Sequence, residues 1–331
     1  MKRFLKIIAA LVAVLAIVYF LGPKPAAPNY NNNLIQVPSD PAALEAFIRS
    51  KEAAHKVKPD NEARIVWAND STKAKTPYVI VYLHGFSASQ EEGNPVHKNI
   101  AGQFGCNMYL ARLSEHGIDT IDPLVNMTAT SLWESAKEAY AIGKQLGDKV
   151  ILMGTSTGGT VALELASNFE DVAGLVLYSP NIAINNPSAF LTNNPWGLQI
   201  ARMVIGGKEN IIKNKPDNYK KYWNDHYRLE AVVELQELLE TTMIPSHFNK
   251  IKCPLLTLYY YKDEKNQDPV VKVSAMKEMF DAVATPANLK RMVPIPEAGN
   301  HVLASPIQSN DIVSVEKETA LFLEQIMQLK K

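Results

Sequence analysis

An α/β fold built on a mainly parallel sheet is predicted for this chain by three observations. Strand-like and helix-like runs alternate along almost the whole body, which argues for parallel strands joined by right-handed crossovers. Tyr78 to Leu83 is a continuous apolar run of the kind that lies inside a sheet covered on both faces. Gly154-Thr155-Ser156-Thr157-Gly158 stands between a short, apolar, partly β-branched run (Lys149 to Met153) and Thr160 to Ser167, which has helical spacing and good helix formers.

The elements follow in order. Lys2, Arg3 and Lys6 flank an unbroken apolar stretch from Ile7 to Leu21 that ends at Gly22-Pro23. As a helix it spans about 22 Å, and starting at Phe4 with Lys6 snorkelling brings it near 27 Å, against a hydrocarbon core of roughly 30 Å. Residues 1–22 therefore read as a signal anchor or a signal peptide. Tyr19, Phe20 and Leu21 occupy the place of a small-residue cleavage site, which favours the uncleaved anchor. Positive residues ahead of the stretch put the N-terminus in the cytoplasm and the body on the extracytoplasmic side, membrane-anchored; cleavage would leave it secreted or periplasmic. Residues 23–39 open with a Pro- and Asn-rich run and read as an extended tether holding the body off the bilayer.

The body, residues 40–331, opens with a helix over Asp40 to Lys51, with Pro41 at its first position and Leu44, Phe47 and Ile48 on its apolar side. Strands are expected at Ala63 to Ala68, Tyr78 to Leu83 and Asn107 to Leu113. Ser131-Leu-Trp-Glu134 reads as a capping box starting a helix that runs to about Leu146. Ala173 to Tyr178, Pro254 to Tyr261 and Lys290 to Ile295 complete the strands, and Val273 to Val283 and Val315 to Leu329 have amphipathic helical periodicity. One segment breaks the alternation. About 185–249 holds no strand candidate but helical stretches at Leu198 to Ile205 and Leu229 to Thr241, with Trp196, Tyr219, Tyr222, Trp223 and Tyr227. An aromatic-rich helical insertion of this kind reads either as a lid shaping an acyl pocket or as a plain surface subdomain.

Composition narrows the function. A 47 % apolar content is ample for a buried core. Lys plus Arg equals Asp plus Glu at 34 each, so no basic footprint for nucleic acid exists and the substrate is expected to be uncharged or weakly charged. With only Cys106 and Cys253, neither a disulfide scaffold nor a cysteine-based metal site is supported. His84, His97, Cys106 and His116 lack the spacing of zinc ligands, and no cofactor or metal is called for.

The chemistry centres on Ser156. A strand-to-helix turn would expose its hydroxyl in a strained backbone conformation, with the flanking glycines removing side chains that would clash. A serine hydroxyl is a weak nucleophile at neutral pH and needs a base with something to orient it. His301 is the expected base, in a turn-rich loop after the last strand, at the sheet end where parallel sheets place their chemistry. The acid should follow the Pro254 to Tyr261 strand. Asp268, before the apolar pair Val270 and Val271, is the choice over Asp263 and Glu264, which sit amid lysines; Asp263 stays open as the alternative. Backbone N–H groups of Phe86 and Thr157 are the expected oxyanion-hole donors, and His84 is expected to brace the Phe86 loop.

The order Ser156, Asp268, His301, the elbow Gly-Thr-Ser-Thr-Gly and His84-Gly85-Phe86 after an early strand resemble the α/β-hydrolase superfamily, over roughly Ala63 to the C-terminus. The placement of the insertion is similar to the helical lid of its monoacylglycerol lipase and carboxylesterase branch. The resemblance implies the α/β-hydrolase fold: a mainly parallel eight-stranded sheet ordered 1-2-4-3-5-6-7-8 and flanked by helices, here with an acid loop about three residues longer than usual. It separates Cys106 and Cys253 by four strand spacings, about 19 Å, so free thiols are expected. The function it implies is a serine hydrolase, esterase or lipase-like, cleaving small-molecule esters or lipids. A peptidase, amidase or thioesterase on the same triad is the alternative. A non-catalytic binding protein on this scaffold would show a damaged triad or donor loop, and every part is present.

Overall fold

A computed structural model describes residues 1–330. Helix α1 (Lys2–Phe20) has no buried residue and a mean hydropathy of 2.3; among the described residues it alone is long and apolar enough to cross a membrane. Helix α2 (Pro41–Glu52) starts where the sequence places it, the Asp40 side chain accepting from Ala43 N–H and Pro41 occupying the first turn. Strand and helix then alternate: β1 (Arg64–Val66), β2 (Thr76–Leu83), α3 (Val96–Gln103), β3 (Asn107–Leu110), α4 (Ala129–Leu146), β4 (Gly147–Thr155), α5 (Thr157–Asn168) and β5 (Val172–Tyr178). An excursion follows, holding α6 (Gly197–Ile205), β6 (Glu209–Ile211), α7 (Asp217–Tyr222), β7 (His226–Arg228), α8 (Leu229–Thr242) and α9 (Pro245–Phe248). The chain rejoins the sheet with β8 (Leu255–Tyr259), α10 (Val273–Ala282) and β9 (Lys290–Pro294), and α11 (Ile312–Gln325) is its last helix.

Among the described residues the sheet has seven strands, not eight, in the order β1-β3-β2-β4-β5-β8-β9. Only β1 runs antiparallel to its neighbour. This is the expected order without its first, outermost strand. The stretch before β1 makes a single bridge, Val57 to Ile118, because Lys56, Lys58 and Pro59 crowd it with charge and remove one N–H donor. Along β2 the side chains alternate between layers: Val79, Val81 and Leu83 pack with α2, α4, α5, α8 and α10, while Ile80 and Tyr82 pack with α3 and α11. Burial on both faces explains why this strand reads as an unbroken apolar run.

Three further details depart from the sequence reading. The cap of α4 is Thr128, whose side chain accepts from Ser131 N–H while Ser131 Oγ accepts from Thr128 N–H, so the box lies three residues earlier and is worth about 1 kcal/mol. The excursion contains a small antiparallel hairpin, β6 with β7, where no strand was expected. The segment after α1 is extended, yet it is strapped to the body: Tyr30 Oη bonds Thr241 Oγ1 at 2.7 Å, Trp133 Nε1 donates to Asn31 O at 2.8 Å, and the buried Lys137 ammonium donates to Asn31 Oδ1 and Asn33 O. Cys106 and Cys253 are free thiols.

Candidate active site

The carboxyl ends of β2, β4, β8 and β9 lie along one edge of the sheet, and each runs into a segment carrying polar groups. After β4, Ser156 has φ 52° and ψ −117°, a conformation L residues rarely hold. The sharp turn is possible only because its flanks are bare: a Cβ on Gly158 would stand 1.8 Å from Leu83 O, and one on Gly154 would stand 2.6 Å from the Gly158 backbone. Helix α5 begins at Thr157, so Thr157 N–H is one of the first-turn donors that a helix leaves without intrahelical acceptors.

After β2, His84 is fully buried. Its Nε2 accepts from Leu113 N–H at 3.0 Å, so Nδ1 carries the hydrogen and donates to Gly85 O at 2.9 Å. Burial, then the neighbouring His116 and Arg112, hold its pKa well below the usual imidazole value against the Gly85 bond, and the ring stays neutral. His84 is a brace for the loop carrying Phe86. Phe86 N–H meets no acceptor among the described residues.

The two sequence candidates at the far end of the chain come together. His301 Nδ1 lies 2.7 Å from Asp268 Oδ2, and both residues are buried. Asp268 Oδ1 accepts from Val270 N–H at 2.9 Å and Val271 N–H at 3.0 Å, so one oxygen fixes the loop and the other holds the imidazole. Burial pushes the Asp268 carboxyl up, but the His301 charge and hydrogen bond and the two N–H donors outweigh it, leaving the pKa below the usual carboxylate value. Burial likewise opposes charging of His301, yet Asp268 and then Glu92 raise its pKa above that of free imidazole. Asp263 is exposed and closes its own turn, accepting from Lys265 N–H and Asn266 N–H. It is removed from the pair.

Ser156, Phe86 and His301 all line one cavity of about 460 Å³. Its walls are mostly apolar, with Ile184, Pro269 and Val270 on the body and Ile212, Tyr219, Trp223, Tyr227, Val232 and Leu235 from the excursion. Lys215, Asn300 and Gln308 add polar groups. Sequence reasoning missed Glu92, which also lines the cavity while being only 3 % exposed. Nothing in Gln90-Glu91-Glu92 distinguishes it from a solvated surface carboxylate. Among the described residues no cluster of His, Cys, Asp and Glu could hold a metal ion.

A family model described as serine aminopeptidase, S33, matches residues 129–298, just over half of the 331-residue chain. The chain belongs to that family. Within it, this hydrolase stands on the monoacylglycerol lipase and esterase side of the α/β-hydrolases. It is 27 % identical over 196 residues to the thermostable monoacylglycerol lipase of Bacillus sp. (strain H-257), covering 58 % of the chain and 72 % of the lipase. It is 24 % identical over 276 residues to the chloroplastic protein PHYLLO of Arabidopsis thaliana, covering 76 % of the chain but spanning only 16 % of that much longer protein. Among solved structures, one from work on the metagenome-derived lipolytic enzymes LipS and LipT shares the fold at a TM-score of 0.63 and 18 % identity, covering 81 % of this chain and 99 % of that one. The monoacylglycerol lipase of Paleococcus ferrophilus matches at 0.57 and 15 % identity, covering 79 % and 97 %.

Proposed function

We propose that the chain is a serine hydrolase that cleaves carboxylic esters, of short to medium acyl chain or monoacylglycerol-like, through an acyl-enzyme. The observation that carries this reading is the His301–Asp268 pair opening onto the same cavity as a serine held in a strained elbow. With Nδ1 bound to Asp268, Nε2 of His301 is left to take the Ser156 proton as Oγ attacks the ester carbonyl. The carbonyl π electrons move to oxygen, and the N–H groups of Phe86 and Thr157 receive that oxyanion, each worth roughly 3 kcal/mol of barrier. Collapse expels the alcohol, which takes the proton from His301. Water then repeats the sequence on the acyl-serine and releases the acid.

Apolar walls with few polar groups suit an uncharged acyl chain. The excursion supplies about half of the named wall and is read as the lid. Helix α1 is read as a membrane anchor with the body on the extracytoplasmic side; Trp196, just before α6, donates its backbone N–H to Pro23 O and its indole N–H to Val18 O, which brings the anchor's end to the lid.

The family description favours a second reading, a peptidase that acts on a free N-terminus. Such an enzyme needs a carboxylate free to receive the substrate's ammonium group. Glu92, the carboxylate lining this cavity, is already engaged with Gly85 N–H, and Lys215 adds positive charge to the wall, so the ester reading is the stronger. Turnover of p-nitrophenyl acyl esters of graded length set beside aminoacyl anilides ranks the two. Ester turnover is expected to dominate, with a fluorophosphonate labelling Ser156 and Ser156→Ala losing the label and about 10⁶-fold in kcat. Anilide cleavage without ester turnover would overturn the ester reading.

A further inference from the structure

Glu92 lies on a short 3₁₀ turn, Gln90–Gly93, eight residues beyond His84. A buried carboxylate kept only for folding is ordinarily paired with a cation, because desolvating its charge costs several kcal/mol. This one is held by a neutral backbone donor instead. Gly85 N–H donates to Glu92 Oε2 at 2.5 Å, and Trp223 of the excursion shares the cavity wall with it. Burial pushes its carboxyl up to about 7 against the pull of Gly85, His301 and Trp223.

The placement is tight. A Cβ on Gly85 would lie 2.9 Å and 3.0 Å from the two Glu92 oxygens and 3.1 Å from Ser156 Cβ, so this glycine is clamped between the carboxyl group and the nucleophile's own residue. The next amide along the chain is Phe86 N–H. Glu92 holds the His84–Gly85 peptide through Gly85 N–H, while Gly85 O, on the peptide that carries Phe86 N–H, accepts from His84 Nδ1 and from Ala88 N–H at 3.3 Å, so the peptides on both sides of the Gly85 Cα are held.

We propose that Glu92 is a positioning residue for ester hydrolysis: by fixing the His84–Gly85 peptide it sets the Gly85 backbone from which the next amide, Phe86 N–H, is presented to the oxyanion, on the wall it shares with Trp223 of the excursion. The inference rests on the reading of Ser156 as nucleophile and goes beyond it. Oxyanion donors act only when preorganised, and losing one costs about 10²- to 10³-fold in kcat. Removing the acceptor that sets the donor should approach the lower figure. Because the oxyanion exists only after attack, the loss belongs in kcat and not in KM.

The experiment is steady-state hydrolysis of p-nitrophenyl butyrate by the full chain and its Glu92→Gln, Glu92→Ala and Glu92→Leu variants, with fluorophosphonate labelling of each. Glu92→Ala is expected to lose about 10²-fold in kcat with KM changed less than about threefold. Glu92→Leu, which fills the space without an acceptor, carries the same prediction should the alanine variant fail to fold. Glu92→Gln keeps an oxygen for Gly85 N–H and should recover most of the loss. Wild-type kcat in Glu92→Ala or Glu92→Leu overturns the assignment. So does a glutamine variant as slow as alanine, since charge and not the acceptor would then be what matters. If the unaltered chain itself takes no label at Ser156, the underlying nucleophile reading fails, and this inference with it.

Discussion

Replacing Asp268 by Asn tests the proposed triad at its most informative joint. The carboxylate divides its work: Oδ1 accepts from Val270 and Val271 N–H at 2.9 Å and 3.0 Å, and Oδ2 meets His301 Nδ1 at 2.7 Å. An asparagine can satisfy the two backbone donors only by turning its oxygen to them, which leaves its amide nitrogen facing the imidazole. That nitrogen donates, so Nδ1 must become the acceptor and the ring hydrogen moves to Nε2. Nε2, the proposed base, then has no lone pair to receive the hydroxyl proton. A wrong tautomer with intact geometry costs about 10⁴-fold in kcat, while the retained Val270 and Val271 bonds should keep the protein folded.

The pH profile carries the sign. His301 must be neutral to act, and Asp268 is the main group that raises its pKa above the free-imidazole value. In the parent chain kcat/KM should therefore rise with pH through an ionisation above that value. In Asp268→Asn burial is opposed only by Glu92, and the midpoint of the residual activity should move to lower pH. The assay is p-nitrophenyl ester hydrolysis between pH 5 and 9, on the order of the range where histidine titrates. Asp263→Asn, at the exposed turn, should leave kcat within about twofold. An Asp268→Asn enzyme within tenfold of the parent, or a larger loss in Asp263→Asn, would refute the assignment.

Two further predictions concern the fold that holds the site. Gly158→Ala puts a methyl group 1.8 Å from Leu83 O, a backbone atom with no room to retreat; a loss of about 3 kcal/mol or more is expected by urea unfolding, and a cost below 1 kcal/mol would contradict the packing. Removing residues 1–22 should leave stability nearly unchanged, since α1 buries nothing, whereas removing residues 1–34 leaves the Trp133 indole N–H without its acceptor and takes Asn31 and Asn33 from the buried Lys137 and Tyr30 from Thr241, and should cost about 2 kcal/mol or more, read as a lower thermal midpoint.

Much of this arrangement is legible in the sequence because each legible part has a local cause. The elbow declares itself through glycines that permit one backbone conformation, and His301 and Asp268 fall after strands whose apolar runs mark their order. The parts that stay hidden have causes distant in sequence. The role proposed for Glu92 depends on Gly85 and Trp223, which the fold brings to it from 7 and 131 positions away. Pro23 to Asn33 looks like a free tether because nothing in it signals that Trp133 and Lys137, on α4, draw acceptors from it. The β6–β7 hairpin has three residues a side, too few for an alternation to show. The outer strand inferred from resemblance fails for a reason the residues do state: two lysines and a proline suit a solvated edge better than a paired strand.

Three local rules are broken at or behind one cavity, and each breach is held by hydrogen bonds to the backbone. Ser156 keeps its unfavourable φ because its N–H donates to Tyr178 O while its carbonyl accepts from Thr160 and Asn181 N–H, enough to offset a strain of order 1–3 kcal/mol. His84 is buried without charge between two backbone groups, and Glu92 is buried against the neutral Gly85 N–H. The last two both act on the loop at 84–89, and the excursion grips that same loop twice more: Asn224 N–H donates to Ser87 O at 2.8 Å, and the Phe86 and Tyr227 rings meet edge-on at 4.9 Å. The cavity wall and the loop carrying Phe86 N–H are therefore one mechanical unit. On the proposed mechanism, a substitution that loosens Trp223 or Tyr227 should lower kcat as well as alter acyl preference, because the wall read as selecting the substrate also grips the loop carrying the proposed oxyanion donor.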